Sequence, residues 1–250
     1  MHNGTLMQQR LPSLLEHPIA FAHRGGKAHA PENTLEAFRL GLKLGATGLE
    51  SDVWLTADGV PVLDHDGVVR RRMGRSRPIG AITRGDLPAH IPTLADLIVH
   101  CGSDYHLSLD LKDARSGIAT IDVVEQLAPD MLPRLWLCAP DWRTLRELRG
   151  RGARLVDSTR LGKLKEGPER RAATLAAEGI DAINMHHSDW NGGLVALFHR
   201  FRIVAFGWDM QHDWVLENAL RMGLDGVYSD WVDRMVDVYT ATLGPPRRPV

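Results

Sequence analysis

Cysteine is scarce in this chain: Cys101 and Cys138 are the only two in 250 residues. They lack metal-ligand spacing, so a reduced intracellular protein is the simplest expectation. Long apolar runs are also missing. No stretch approaches a membrane span, so stable membrane insertion is not expected. The segment from Met1 to Glu16 has no apolar core suited to a signal peptide, and a cytoplasmic enzyme is expected. Nor is there an excess of charge: 30 Lys and Arg stand against 31 Asp and Glu, a net charge of −1. That balance gives no global pull toward nucleic acid or a membrane surface. Internal repeats, low-complexity blocks and linkers are absent, which implies one domain.

The chain does hold an alternation of short apolar runs with helical patterns. A hydrophobic content of 44% and a charged content of 24% belong to an ordinary globular protein. Strands are expected at Ile19–Ala22, Gly48–Leu55, Leu107–Leu111, Leu135–Cys138, Arg154–Val156, Asp181–Asn184, Arg202–Phe206 and Gly226–Tyr228. Val60–Leu63 reads as a further short extended piece. Helical stretches lie between them, at Thr34–Leu44, Thr93–Val99, Ser116–Leu127, Trp142–Leu148, Glu169–Glu178, Leu194–Phe201, Trp214–Met222 and Val232–Thr242. Such alternation implies right-handed crossovers and a parallel sheet. About eight units fit an α/β fold of the (β/α)₈ TIM-barrel type better than an open sheet. The expected limits are an N-terminal extension at 1–17, a barrel at 18–243 and a C-terminal tail at 244–250.

Glu50 and Asp52 are the most informative pair. Side chains two apart on a strand share a face, so these carboxylates converge while Leu49, Ser51 and Val53 turn away. Two like charges so close repel unless a cation or a proton intervenes. The plainer alternative is a strand end with two solvated acids. In a barrel, however, catalytic groups emerge at the C-terminal ends of several strands. Three strands here end in polar chemistry: Ala22-His23-Arg24-Gly25-Gly26, Glu50-Ser51-Asp52 and Ser108-Leu109-Asp110-Leu111-Lys112. Asp110 and Lys112 share a face by the same rule and would meet Glu50 and Asp52 at the mouth.

These segments, taken in order, resemble the glycerophosphodiester phosphodiesterase family. The elements are His23-Arg24-Gly25, Pro31-Glu32-Asn33-Thr34, Glu50-x-Asp52, Thr56-x-Asp58-Gly59-x-Pro61-Val62 and His65-Asp66. Then follow Ile91-Pro92-Thr93-Leu94, Asp110-x-Lys112 and Gly223-Leu224-Asp225-Gly226-Val227. A lone His-Arg-Gly recurs by chance; eight elements in one order across most of the chain do not. The resemblance implies a TIM barrel, a divalent cation, and hydrolysis of glycerophosphodiesters to glycerol 3-phosphate and an alcohol.

By that resemblance Glu50, Asp52 and Asp110 are the metal-binding carboxylates. Oxygen-only ligation suits Mg²⁺ or Ca²⁺ better than Zn²⁺. His23 and His65 form the acid/base pair, with the order between them left open. Arg24 is placed to hold the non-bridging phosphate oxygens, Lys112 to add a second cationic contact or tune Asp110, and Glu32 to orient Arg24 or the metal site. Water and the glycerol 2-hydroxyl are both available nucleophiles; the second, which passes through a cyclic phosphate, is the route of related barrel phosphodiesterases.

The remaining signals are weaker. Most of the twelve histidines suit surface or satisfied core positions, His2, His17, His100 and His199 among them. His186 or His187, after the expected strand, could line the pocket, and neither is given a role. Trp208 stands where the family has Trp-Thr-Val-Asn and could pack against the glycerol carbons. Here the segment reads Trp208-Asp209-Met210-Gln211, which implies a different head-group selectivity. Asp110 replaces the commoner Glu and shortens that ligand by about 1.5 Å, a gap that a bridging water could close. Asp230-Trp231-Val232 replaces Asp-x-Pro, a change expected to affect only the helix start. The Leu224–Asp230 phrase reads as a packing strand rather than a phosphate cradle. Arg70, Arg71, Arg72, Arg75 and Arg77 suit a solvated loop, or one that steers anionic diesters toward the site. The short span from His65 to Asp110 leaves little room for a lid. A small-molecule glycerophosphodiester is the expected partner, without nucleic acid, and a homo-oligomer is compatible with the sequence. The alternatives are a lysophospholipase-D-like enzyme and an inactive barrel that binds phosphodiesters or partners.

Overall fold

Among the described residues, 10–70, 75–113 and 115–249, eight parallel strands close on themselves in the computed structural model. In chain order the strands are β1 (Ile19–Ala22), β2 (Gly48–Leu55), β3 (Pro61–Leu63), β4 (Val68–Val69), β5 (Arg77–Pro78) and β6 (His106–Leu111). They continue as β7 (Leu135–Ala139), β8 (Arg154–Ser158), β9 (Ala182–His186), β10 (Val204–Trp208) and β11 (Gly226–Ser229). The barrel order is β1-β11-β10-β9-β8-β7-β6-β2, and β1 pairs again with β2 to complete the ring. Strand β3 folds back antiparallel on β2, and β4 and β5 make a separate small hairpin. The expected TIM barrel is therefore present.

Six α-helices and one 3₁₀ helix make the seven crossovers, and a seventh α-helix follows the last strand. The α-helices are α1 (Leu35–Lys43), α2 (Leu94–Cys101), α3 (Ser116–Leu127), α4 (Pro168–Ala177), α5 (Gly192–Arg200), α6 (Asp213–Arg221) and α7 (Val232–Leu243). Thr93 starts α2 with a capping box, its hydroxyl accepting from Asp96 N while the Asp96 carboxylate accepts from Thr93 N. Between β7 and β8 the expected helix is a 3₁₀ helix, Trp142–Leu148. Its buried residues Trp142, Leu145 and Leu148 recur every third position, the period of a 3₁₀ turn. No helix among the described residues is long and apolar enough to cross a membrane.

Two strands run further toward the barrel mouth than the sequence pattern suggests. Arg202 has φ +63°, a left-handed conformation closing α5, so β10 starts at Val204 and extends through Trp208. Strand β9 extends to His186, which pairs in register with Trp208. Side chains alternate as a period of two requires. Leu49, Val53, Leu107 and Leu109 face the helices, in the core between strands and helices. Phe21, Trp136, Phe206 and Tyr228 fill the barrel interior, with Phe21 stacked on Tyr228 at 4.4 Å and Trp136 edge-on to Phe206 at 4.8 Å. Gly48 makes room for this layer, since a Cβ there would lie 2.5 Å from Phe21 Cδ1. The interior is thus plugged by aromatics below, and polar strand ends stand above them.

Candidate active site

Strand register assembles the acidic side of the mouth. Asp52 pairs with Asp110 and Glu50 with Ser108, so two carboxylates stand side by side and the third lies one layer deeper. Glu50 and Asp52 are buried. The Glu50 carboxylate accepts from Arg24 N at 2.9 Å and lies 3.8 Å from His23 Nε2. Lys112 Nζ sits 2.7 Å from Asp52 Oδ1 and 3.5 Å from Asp110 Oδ2. The second Asp52 oxygen is buried with no hydrogen-bond partner among the described residues.

Crowding of negative charge shifts these groups. Burial pushes Glu50 up to about 7; His23 and the Arg24 amide oppose the shift, while Asp52 and Asp110 add to it. Burial likewise raises Asp110, against the pull of Lys112. Lys112 moves up because Asp110 and Asp52 outweigh its own desolvation.

The His23-Arg24-Gly25 segment is a 3₁₀ turn leaving β1. Arg24 has φ +51°, and Gly25 and Gly26 have φ +82° and +90°. A Cβ on Gly25 would sit 2.8 Å from Phe38 N, so only glycine lets the turn rest on α1. That conformation aims the Arg24 amide at Glu50. The Arg24 guanidinium meets both Glu32 oxygens at 3.1 Å, and Asn33 N donates to Arg24 O at 3.0 Å. Ser51, on the outward face of β2, donates to Asn33 Oδ1 at 2.7 Å and ties this loop to the barrel.

Asp230 is the residue that the sequence reading undervalued. It does more than start α7: its Oδ1 lies 2.6 Å from His23 Nδ1, and its Oδ2 lies 3.3 Å from Lys27 Nζ. The signal was its position just past the last strand, which barrel closure sets beside β1. Burial alone would depress His23, but Glu50 and Asp230 outweigh it and the imidazole is raised. His65 lies on the loop after β3, more exposed, with Nδ1 3.0 Å from Asp66 Oδ1. Asp64 holds that loop, accepting from Gly67 N through its carboxylate and from Trp54 Nε1 through its carbonyl.

A cavity of about 340 Å³ occupies the mouth. His23, Arg24, Glu50, Asp52, His65, Asp110, Lys112 and Trp208 all line it, and Glu32 stands behind Arg24. The far wall adds Arg160, Lys163 and Asn184, to which the sequence pattern gave no role, together with Asp209 and Gln211 of the segment that departs from Trp-Thr-Val-Asn. Arg160 is fixed by Asp189 at 2.5 Å and lies over the Trp208 ring at 5.7 Å. Arg70, just past β4, pairs at 2.9 Å with Asp66 beside His65, and Arg77 opens β5 with its guanidinium on Ala81 O; Arg71 and Arg72 lie outside the described residues, as do residues 1–9 of the N-terminal extension. A second cavity, about 500 Å³, lies on the barrel's flank between α5 and α6, lined by Leu11, Trp190, Trp214 and Met222.

The donor set fits a hard divalent cation. Three carboxylates line one cavity, one buried oxygen is unpaired, and burial raises Glu50 despite the opposing pull of His23. Among the described residues, the group of three whose ligating atoms all lie within 4.8 Å of one another is elsewhere, at His186, His187 and Asp209.

Comparison with known proteins finds likenesses of sequence and of fold. The Glycerophosphoryl diester phosphodiesterase family model matches residues 23–113. Glycerophosphodiester phosphodiesterase 1 of Rattus norvegicus is 42% identical over 98 residues, 33% of this chain, and the chain spans 30% of that relative's length. A glycerophosphodiester phosphodiesterase of Bacillus altitudinis is 26% identical over 243 residues, covering 87% of this chain and 96% of the relative. The fold matches a phosphodiesterase from Oleispira antarctica in complex with the product sn-glycerol 3-phosphate. The TM-score is 0.77 at 22% identity, over 89% of this chain and 96% of that one.

Proposed function

We propose that the chain is a glycerophosphodiester phosphodiesterase that hydrolyses glycerophosphodiesters to sn-glycerol 3-phosphate and an alcohol, a reading supported by its likeness to that family over residues 23–113. The reading rests above all on one observation: two histidines, three carboxylates, Arg24 and Lys112 line a single cavity at the barrel mouth. The product held by the Oleispira phosphodiesterase has the chemistry such a cavity suits.

In this reading Glu50, Asp52 and Asp110 hold Mg²⁺ or Ca²⁺, which offsets charge on the phosphoryl oxygens when bound. Arg24, anchored by Glu32, holds a non-bridging oxygen with its free N–H groups. Lys112 gives a second cationic contact. Asp230 fixes the His23 ring through Nδ1 and leaves Nε2 toward the site. The same carboxylates favour imidazolium, so His23 is the proton donor to the leaving oxygen. His65 then takes the proton of the nucleophile. If that nucleophile is the glycerol 2-hydroxyl, the 2-deoxy substrate will react far more slowly; equal rates would assign the role to water. Trp208 offers an apolar wall for the glycerol carbons.

The test is release of glycerol 3-phosphate from glycerophosphocholine and glycerophosphoethanolamine with Mg²⁺, Ca²⁺ or EDTA. Release with cation and none with EDTA supports the proposal. No release under any condition from folded protein would leave the barrel as a binding module. A lysophospholipase-D-like activity is the second reading, supported by the apolar groove that starts at His187 and runs beside the exposed Trp214. Faster turnover of lysophosphatidylcholine than of glycerophosphocholine would favour it.

A further inference from the structure

Strands β9 and β10 end in a second set of metal-ligating side chains. Going round the barrel from β2 through β1, β11 and β10, or through β6, β7 and β8, β9 is reached at the same step. His186 therefore stands diametrically opposite Glu50 and Asp52. His186 closes β9, His187 opens the 3₁₀ turn after it, and Asp209 follows β10 directly. One ligating atom from each lies within 4.8 Å of the others.

We propose that His186, His187 and Asp209 form a second cation site, suited to a borderline transition-metal dication of the zinc class. Two imidazoles and one carboxylate are the donors that such ions take, with a coordination position left open. Mg²⁺ and Ca²⁺ prefer oxygen alone, so the two sides of the mouth sort cations by donor chemistry.

The surroundings hold these ligands in place. The His186 ring packs edge-on to Trp208 at 4.6 Å and lies 4.3 Å from His187. Its Nε2 is 3.1 Å from Asp209 Oδ2, while Nδ1 is 2.8 Å from Ser188 Oγ. Nδ1 also accepts from Ser188 N at 3.2 Å, which places the ring proton on Nε2, donated to Asp209; a cation bound through Nε2 would take that proton's place, with Nδ1 then protonated and donating to Ser188 Oγ. Gln211 Nε2 donates to Asp209 Oδ1 at 3.2 Å and steadies the carboxylate from its other side. Asp209 lines the mouth cavity and His187 lines the apolar groove, so a bound ion would tie together the wall between them. This inference does not depend on the hydrolytic reading.

Zn²⁺ binding to the full chain, measured by equilibrium dialysis in excess Mg²⁺, tests it. Co²⁺ serves as a second probe through its visible absorption. The variants are Asp209→Asn, His187→Gln and, as a control for the opposite side, Glu50→Gln. Asparagine tolerates the left-handed backbone at position 209, φ +62°, so that variant keeps the local fold. The expected result is one Zn²⁺ per chain, with affinity about tenfold or more weaker in Asp209→Asn and His187→Gln and retained in Glu50→Gln. No Zn²⁺ uptake in excess Mg²⁺ would overturn the proposal. So would binding lost only in Glu50→Gln, or binding that all three variants leave unchanged.

Discussion

Replacing Glu50 by glutamine separates the cost of burying a carboxylate from the use of that carboxylate. In the unfolded chain the group ionises near 4.5; in the folded, cation-free protein burial lifts it to about 7. Between those values the folded state holds a proton that the unfolded state has released. Stability therefore falls as pH rises through this window, and it stays lower above it. A tenfold change in a proton equilibrium is worth about 1.4 kcal/mol, so the full loss is about 3 kcal/mol. Glutamine matches the shape and can still accept from Arg24 N, but it carries no charge. It also gives up the attraction that Glu50 exerts on His23, which offsets part of the gain. In EDTA the variant is expected to be more stable than the parent by about 1–3 kcal/mol at about pH 9, and no more stable at about pH 4. Urea unfolding followed by tryptophan fluorescence at both pH values measures this. Saturating Mg²⁺ or Ca²⁺ should then stabilise the parent more than the variant, because a cation relieves the same crowding. A variant less stable than its parent at the higher pH, or one with the same gain at both, would refute the reasoning.

Three further outcomes follow from the same geometry. His65→Ala and His23→Ala should each lower kcat by about 10²–10⁴-fold in the glycerol 3-phosphate assay, with Tm little changed for His65, which is the more exposed. Asp230→Asn should lower kcat more than it changes KM. It should also move the alkaline limb of the pH–rate profile to lower pH, because the carboxylate that helps to keep His23 protonated is gone; an unmoved limb would deny Asp230 a positioning role. Gly25→Ala forces a side chain onto a backbone at φ +82° and against Phe38 N, so thermal or urea unfolding should show a loss of about 2 kcal/mol or more.

The sequence by itself determined what local sterics control. Alternation on a strand puts Glu50 and Asp52 on one face and Leu49 and Val53 on the other, whatever the rest of the chain does. The alternation of strands and helices implied right-handed crossovers and a barrel, and the ordered motifs pointed to the residues of its mouth. Helix type was partly legible too: the three-residue spacing of Trp142, Leu145 and Leu148 is written in the chain, although a helical pattern read at low resolution does not distinguish it.

Tertiary structure decided whatever depends on register and closure. Asp230 reaches His23 across 207 positions of sequence, because closing the barrel sets β11 beside β1. Lys112 settles between Asp52 and Asp110 because β2 and β6 pair in one particular register; a one-residue slip would turn every one of these side chains to the opposite face. His186 and Asp209 meet because β9 and β10 run to the same height, a limit set in part by the left-handed Arg202 that delays β10. A period of two is a property of each strand alone. Which strand ends face one another is a property of the closed ring, and no local pattern encodes it.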